Sequence, residues 1–128
     1  MKIVTLIARI LLGLVFLVFG LNGFLNFIPM PPPKGLAGQY LGVLSVSHYM
    51  APIFLLQVIG AVLLLANRFV PLALALLGPV LVNILLFHTL MAPEGLPLAL
   101  VTTLLWLIVF YGVRQAFRGL FVSRSALE

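Results

Sequence analysis

An all-helical membrane-spanning four-helix bundle is the fold class that three features of this sequence predict. Of its 128 residues, 64% are hydrophobic and only 7% charged, against roughly 25% charged residues in a soluble domain. A soluble chain of this make-up would leave apolar surface facing water over most of its outside. The apolar residues also fall into four segments, 3–27, 49–66, 70–91 and 96–113, each close to the ~20 residues that carry a helix across a ~30 Å hydrocarbon core. Backbone groups at that depth must bond within their own segment, so each segment is predicted to be helical. Finally, six of the seven basic residues, Lys2, Arg9, Arg68, Arg114, Arg118 and Arg124, fall at the chain termini or in the turn between the second and third segments. That bias predicts both termini on the cytoplasmic side of a bacterial-type cytoplasmic membrane.

The first segment begins with Lys2 ahead of its apolar run, as a signal peptide does. Its length, about twice that of a typical signal-peptide core, and the lack of a small-residue cleavage pattern before Asn26 make it a retained helix. Arg9 lies about 9 Å along this helix at ~1.5 Å per residue, within snorkelling reach of the cytoplasmic surface. The outer connection after it, Ile28-Pro29-Met30-Pro31-Pro32-Pro33-Lys34, cannot continue a helix. Beyond it, Tyr40, Leu41 and Leu44 recur at helical spacing, which predicts a short interfacial helix tucked against the bundle mouth.

The turn Asn67-Arg68-Phe69 is so short that the second and third segments must be antiparallel neighbours. In the third segment Gly78-Pro79 predicts a bend about one turn before Asn83. The turn Ala92-Pro93-Glu94-Gly95 leads to the fourth segment, where Pro97 suits the first helical turn. Tyr111 reads as an interfacial anchor, and Arg114 and Arg118, at i and i+4, are expected to extend the last helix as a basic stub. All of this makes one domain, 1–128.

The formal charge of +5 would suggest nucleic acid in a soluble protein. Here the charges sit at helix ends, where they set topology and meet anionic lipid, so the expected partner is the lipid bilayer and not nucleic acid. The chain has no cysteine, which excludes disulfides, thiolate metal sites and thiol redox chemistry of its own. It also lacks a carboxylate pair or a nucleophile-base arrangement, so no self-sufficient catalytic constellation is present.

Function is therefore sought in the polar residues within the apolar segments, because such side chains usually face a cavity or a partner. At ~1.5 Å per residue, Asn22, Gln57, Asn83 and the Thr102-Thr103 step lie roughly 8, 10, 12 and 8 Å below the outer ends of their helices. All four helices thus place a polar group in one outer layer. These groups are either packing glue, each worth ~0.6 kcal/mol, or the lining of an outward-opening pocket for a polar headgroup or a quinone carbonyl, with apolar walls for its tail. His88 is one turn further out than Asn83 and about 140° round the helix from it. Asn83 is thus expected at the shared interior site and His88 at its mouth. Haem or metal ligation by His48 and His88 would require further ligands or an opposed geometry, and a proton relay would have only Glu94 as a titratable neighbour.

The run Asn83-Ile-Leu-Leu-Phe-His88, followed by Leu90, Pro93 and Gly95-Leu96, resembles the third-helix signature of DoxX-like small membrane proteins. Arg9-Ile-Leu-Leu-Gly13 through Gly20-Leu-Asn22-Gly23-Phe24 is similar to their first helix, and Asn67-Arg68-Phe69-Val70-Pro71 to their inner turn. The resemblance implies a four-helix membrane protein that is a non-catalytic subunit or scaffold of a quinone- or thiol-linked redox system, with redox-complex proteins as partners. One departure is Gln57, where such proteins often carry glutamate, so hydrogen bonding is kept at this position and a proton-coupled role is not implied. The competing expectation is a small transporter or flippase component acting as a homo-oligomer, although the chain shows no inverted repeat of broken helices.

Overall fold

The computed structural model describes residues 2–29, 31 and 33–124, and among them every regular element is helical. Met30 and Pro32 of the proline-rich connection lie outside the described residues. The order is α1 (Lys2–Leu25), α2 (Gly35–Val46), α3 (Met50–Ala66), α4 (Val70–Leu90) and α5 (Leu96–Gly112), with a 3₁₀ turn at Pro93–Gly95 and a 3₁₀ segment at Arg114–Phe121. Three helical stretches are long and apolar enough to cross a membrane, and a fourth is counted when α2 and α3 are taken as one bent span. Helices α1, α3, α4 and α5 begin and end within two residues of the four apolar segments.

The four long helices close a ring in which α1 and α4 each pack against both α3 and α5. The most extensive packing is between α1 and α3. A Cβ at Gly20 would lie 3.1 Å from the Cβ of Gln57 and 3.2 Å from the backbone nitrogen of Val58, so only bare backbone lets α1 lie this close. The outside of the ring stays apolar, with Leu14, Leu55, Val82 and Leu104 exposed on α1, α3, α4 and α5. Such a surface is suited to lipid.

Packing is uneven along the bundle axis. The fully buried Leu12 of α1, Leu64 of α3, Leu74 and Leu77 of α4 and Val109 of α5 all lie toward the end where the chain begins. That basic end holds a solid core. It is sealed by Phe117, which is buried and tilted against Phe110 with ring centroids 4.9 Å apart, while Phe110 stacks on Trp106 at 5.3 Å. The Trp106 indole N–H donates to the carbonyl of Leu74 at 3.1 Å, tying α5 to α4 about one turn before Pro79.

Three local conformations set the ends of the helices. At the end of α3, Asn67 is left-handed (φ 54°), its N–H donating to Leu64 O and that of Arg68 to Leu63 O. This is a Schellman closure, which frees the chain for an immediate reversal. The same closure ends α2: His48 is left-handed (φ 61°), its N–H donating to Ser45 O and that of Tyr49 to Leu44 O. It turns the chain by 88°, laying α2 across the end of α3 rather than in line with it. The third differs from expectation, because α5 does not run on as an α-helical basic stub. It stops at Gly112, Val113 leaves helical geometry (φ −119°, ψ 20°), and the following 3₁₀ segment folds back to bury Phe117. Burial of that one aromatic outweighs the continuation that Arg114 and Arg118 suggested.

Arg9 also finds a definite role. Its Nη1 donates to Leu64 O and, at 3.5 Å, to Leu65 O, so the guanidinium binds the C-terminal carbonyls of α3, where helix geometry leaves acceptors open and the dipole is negative.

Candidate functional site

Away from the solid core, the bundle opens. At the end opposite the basic cluster α1, α3, α4 and α5 enclose a cleft of about 620 Å³, lined chiefly by apolar side chains such as Phe16, Phe19, Phe54, Ile84 and Leu98. The cleft brings together Asn22, Gln57, His88 and Thr102, one from each long helix. Leu41 and Ser45 of α2 also contribute, so the helix lying across the bundle end forms part of the wall.

Gln57 is the focal residue. It is only 6% exposed, yet its amide takes part in no hydrogen bond among the described residues. No fully enclosed polar side-chain atom lacks a partner there, so the amide keeps its access through the cleft. An amide held this way in a mostly apolar chamber costs free energy until something pairs with it.

The remaining polar groups have defined donor and acceptor roles. Asn22 Oδ1 accepts from the N–H of Ile28 at 2.8 Å, pinning the chain after α1 over the cleft and leaving the Asn22 NH₂ to donate. Thr102 is buried, and its Oγ donates to Leu98 O at 2.8 Å, so only its oxygen lone pairs remain on offer. His88 Nδ1 lies 3.0 Å from Ala92 O. A carbonyl only accepts, so Nδ1 carries the hydrogen and the neutral ring keeps Nε2 as an acceptor. The ring is seated by Gly95, where a Cβ would fall 2.2 Å from His88 Cε1, and its edge meets Phe87 at 5.1 Å. Among the described residues no Asp, Glu, Lys or Arg side chain lines the cleft.

Asn83 and Thr103 lie elsewhere. Asn83 is exposed, and its Nδ2 donates to Pro79 O at 3.0 Å. It faces a second cavity of about 820 Å³ between α2, α3 and α4, roofed by Tyr40, Leu41 and Leu44. Thr103 donates to Ala99 O at 2.8 Å and lines neither cavity. Asn83 thus does not line the interior cleft where it was expected, while His88 lines it beside the Pro93–Gly95 turn. The reason is local on both sides, since Asn83 back-bonds to its own helix at the proline and Gly95 leaves the space that His88 fills.

The two cavities share Leu41, Met50, Gln57 and Ile84 as a common wall. Gln57 therefore stands between an interior chamber and a lateral one. His48, exposed in the α2–α3 corner, lines neither, so the two histidines do not share a site. Among the described residues no three His, Cys, Asp or Glu side chains converge. Asn26 and Ser45 also line the interior cleft. The sequence held only a weak signal for them, a polar residue just past one helix and another within the short one.

No family model, curated protein or solved structure matches the chain. The class that the fold defines is that of a multi-pass membrane protein, on the strength of its several long apolar helices.

Proposed function

We propose that the chain is a four-span, DoxX-like protein of a cytoplasmic membrane, with its basic end and both termini in the cytoplasm. In this reading it is a non-catalytic subunit or scaffold that holds a quinone or an uncharged lipid-like molecule in the interior cleft. The observation that carries the reading is Gln57, a nearly buried residue whose amide opens on the cleft with no hydrogen-bond partner among the described residues. A quinone carbonyl or a lipid hydroxyl is complementary to it. The Asn22 NH₂ can donate to the same head, and His88 Nε2 can accept from a hydroxyl. Phenylalanines surround the ring or glycerol body, and the volume lies within the ~300–1,000 Å³ of small-molecule pockets. The lateral cavity beyond Gln57 offers room for a tail between α3 and α4.

Binding is favoured over translocation by the solid core at the basic end. Leu12, Leu64, Leu74, Leu77 and Val109 are fully buried there, and a transporter or flippase would call for a path past them, such as one supplied by a second copy. The test is to add a short-chain quinone and, separately, a diacylglycerol to the detergent-purified protein, and to follow thermal unfolding and retained small molecules by mass spectrometry. Saturable protection by one of them is expected. Absence of protection by both, together with no retained apolar small molecule, would refute the reading.

A further inference from the structure

A third cavity, of about 420 Å³, lies at the basic end, where the start of α1, the α3–α4 turn and the end of α5 meet. Lys2, Arg9 and Arg114 line it, with Thr5 and Asn67 as uncharged hydrogen-bonding groups. Among the described residues, no acidic side chain is part of its walls. Glu94, the only acidic residue among the described residues, sits in the 3₁₀ turn at the opposite end of the bundle. Three cations thus converge with no acidic partner among the described residues.

We infer that this pocket binds the phosphate headgroup of an anionic phospholipid. Two of the cations are already held in place. Arg9 Nη1 is fixed by the terminal carbonyls of α3. Arg114 donates through Nη1 to Tyr111 O at 2.6 Å, and its guanidinium carbon stands 4.0 Å above the centroid of the Tyr111 ring. A guanidinium has five N–H donors, so each arginine keeps several free while little side-chain freedom is left to lose on binding. Phosphate oxygens suit that planar fork, and basic pockets between membrane helices are known to favour such headgroups. The exposed apolar side chain of Leu6 on α1, which also lines the cavity, favours a lipid over free phosphate by offering its glycerol and acyl part an apolar surface. The inference rests on the membrane reading of the chain but not on the interior cleft at the other end.

The test is native mass spectrometry of the full chain after equilibration with equal amounts of phosphatidylglycerol and phosphatidylcholine. The wild type should retain phosphatidylglycerol preferentially, and millimolar inorganic phosphate should not displace it. Lys2→Gln with Arg114→Gln, both at exposed positions, should lower that retention by about fivefold for each cation removed, the size of effect one basic side chain has at an anionic leaflet. Arg118→Gln with Arg124→Gln removes the same charge from the same end outside the pocket, and should change retention little. Equal retention of the two lipids, equal losses in the two double variants, or displacement by inorganic phosphate would each overturn the inference. Gln57 variants leave this readout unchanged, so failure here is distinct from failure of the quinone or lipid cleft.

Discussion

Replacing Gln57 by methionine separates a binding amide from a packing amide, because the two roles predict opposite signs. Methionine keeps the unbranched shape, the helix propensity and the Cβ against which Gly20 packs. What it removes is the amide of a nearly buried residue, open to the cleft and without a hydrogen-bond partner among the described residues. An unpaired polar group costs about 1–3 kcal/mol when fully desolvated. Access through the cleft brings this toward the lower end, so the ligand-free variant should be more stable by about 1 kcal/mol. For a chain of this length that is a rise of about 4 °C in Tm. The bound state loses a neutral hydrogen bond of about 1 kcal/mol, weakening quinone binding by roughly fivefold. The assay is thermal unfolding in mild detergent followed by the fluorescence of Trp106, the only tryptophan, with and without a short-chain quinone. A fall in ligand-free Tm with undiminished quinone protection would refute the reasoning and leave Gln57 as helix-packing glue.

Three further substitutions probe the frame around the site. Gly95→Ala places a Cβ 2.2–3.0 Å from ring atoms of His88. The imidazole should swing away and lose its bond to Ala92 O, cutting quinone protection while circular dichroism shows the helices intact. His48→Gly relieves a left-handed conformation that costs an L-residue roughly 1 kcal/mol, so unfolding in denaturing detergent should shift to higher concentration. Trp106→Phe leaves Leu74 O without its indole donor and should destabilise the fold by about 1 kcal/mol, read by circular dichroism melting because the fluorophore is gone.

The helices were legible in the sequence because lipid leaves so little choice: long apolar runs broken at Asn67 and at Pro93-Glu94-Gly95 are helices wherever they are apolar enough. The corner at His48 was less legible, since a histidine in left-handed geometry carries no signal comparable to glycine. The end of α5 was hidden for a different reason. Arg114 and Arg118 fit a continuing helix locally, and only the tertiary burial of Phe117 against Phe110 decides otherwise. Spacing placed the polar residues of the four helices in one layer, and Asn22, Gln57 and Thr102 do line one cleft. Spacing also separated Asn83 from His88 round the helix. It could not say which of the two faces inward, because that depends on the back-bond to Pro79 and on the gap left by Gly95 in the next element.

The uneven packing along the axis has a mechanical consequence. Joined by the Arg9 and Trp106 bonds and filled with interlocking side chains, the basic half acts as a clamp. The other half, around a hollow, has fewer contacts to break when its helices tilt. Such a bundle flexes like tweezers held at one end, and local opening concentrates where buried contacts are few. A ligand would be admitted by small tilts of the free helix ends under α2, without disturbing the basic end.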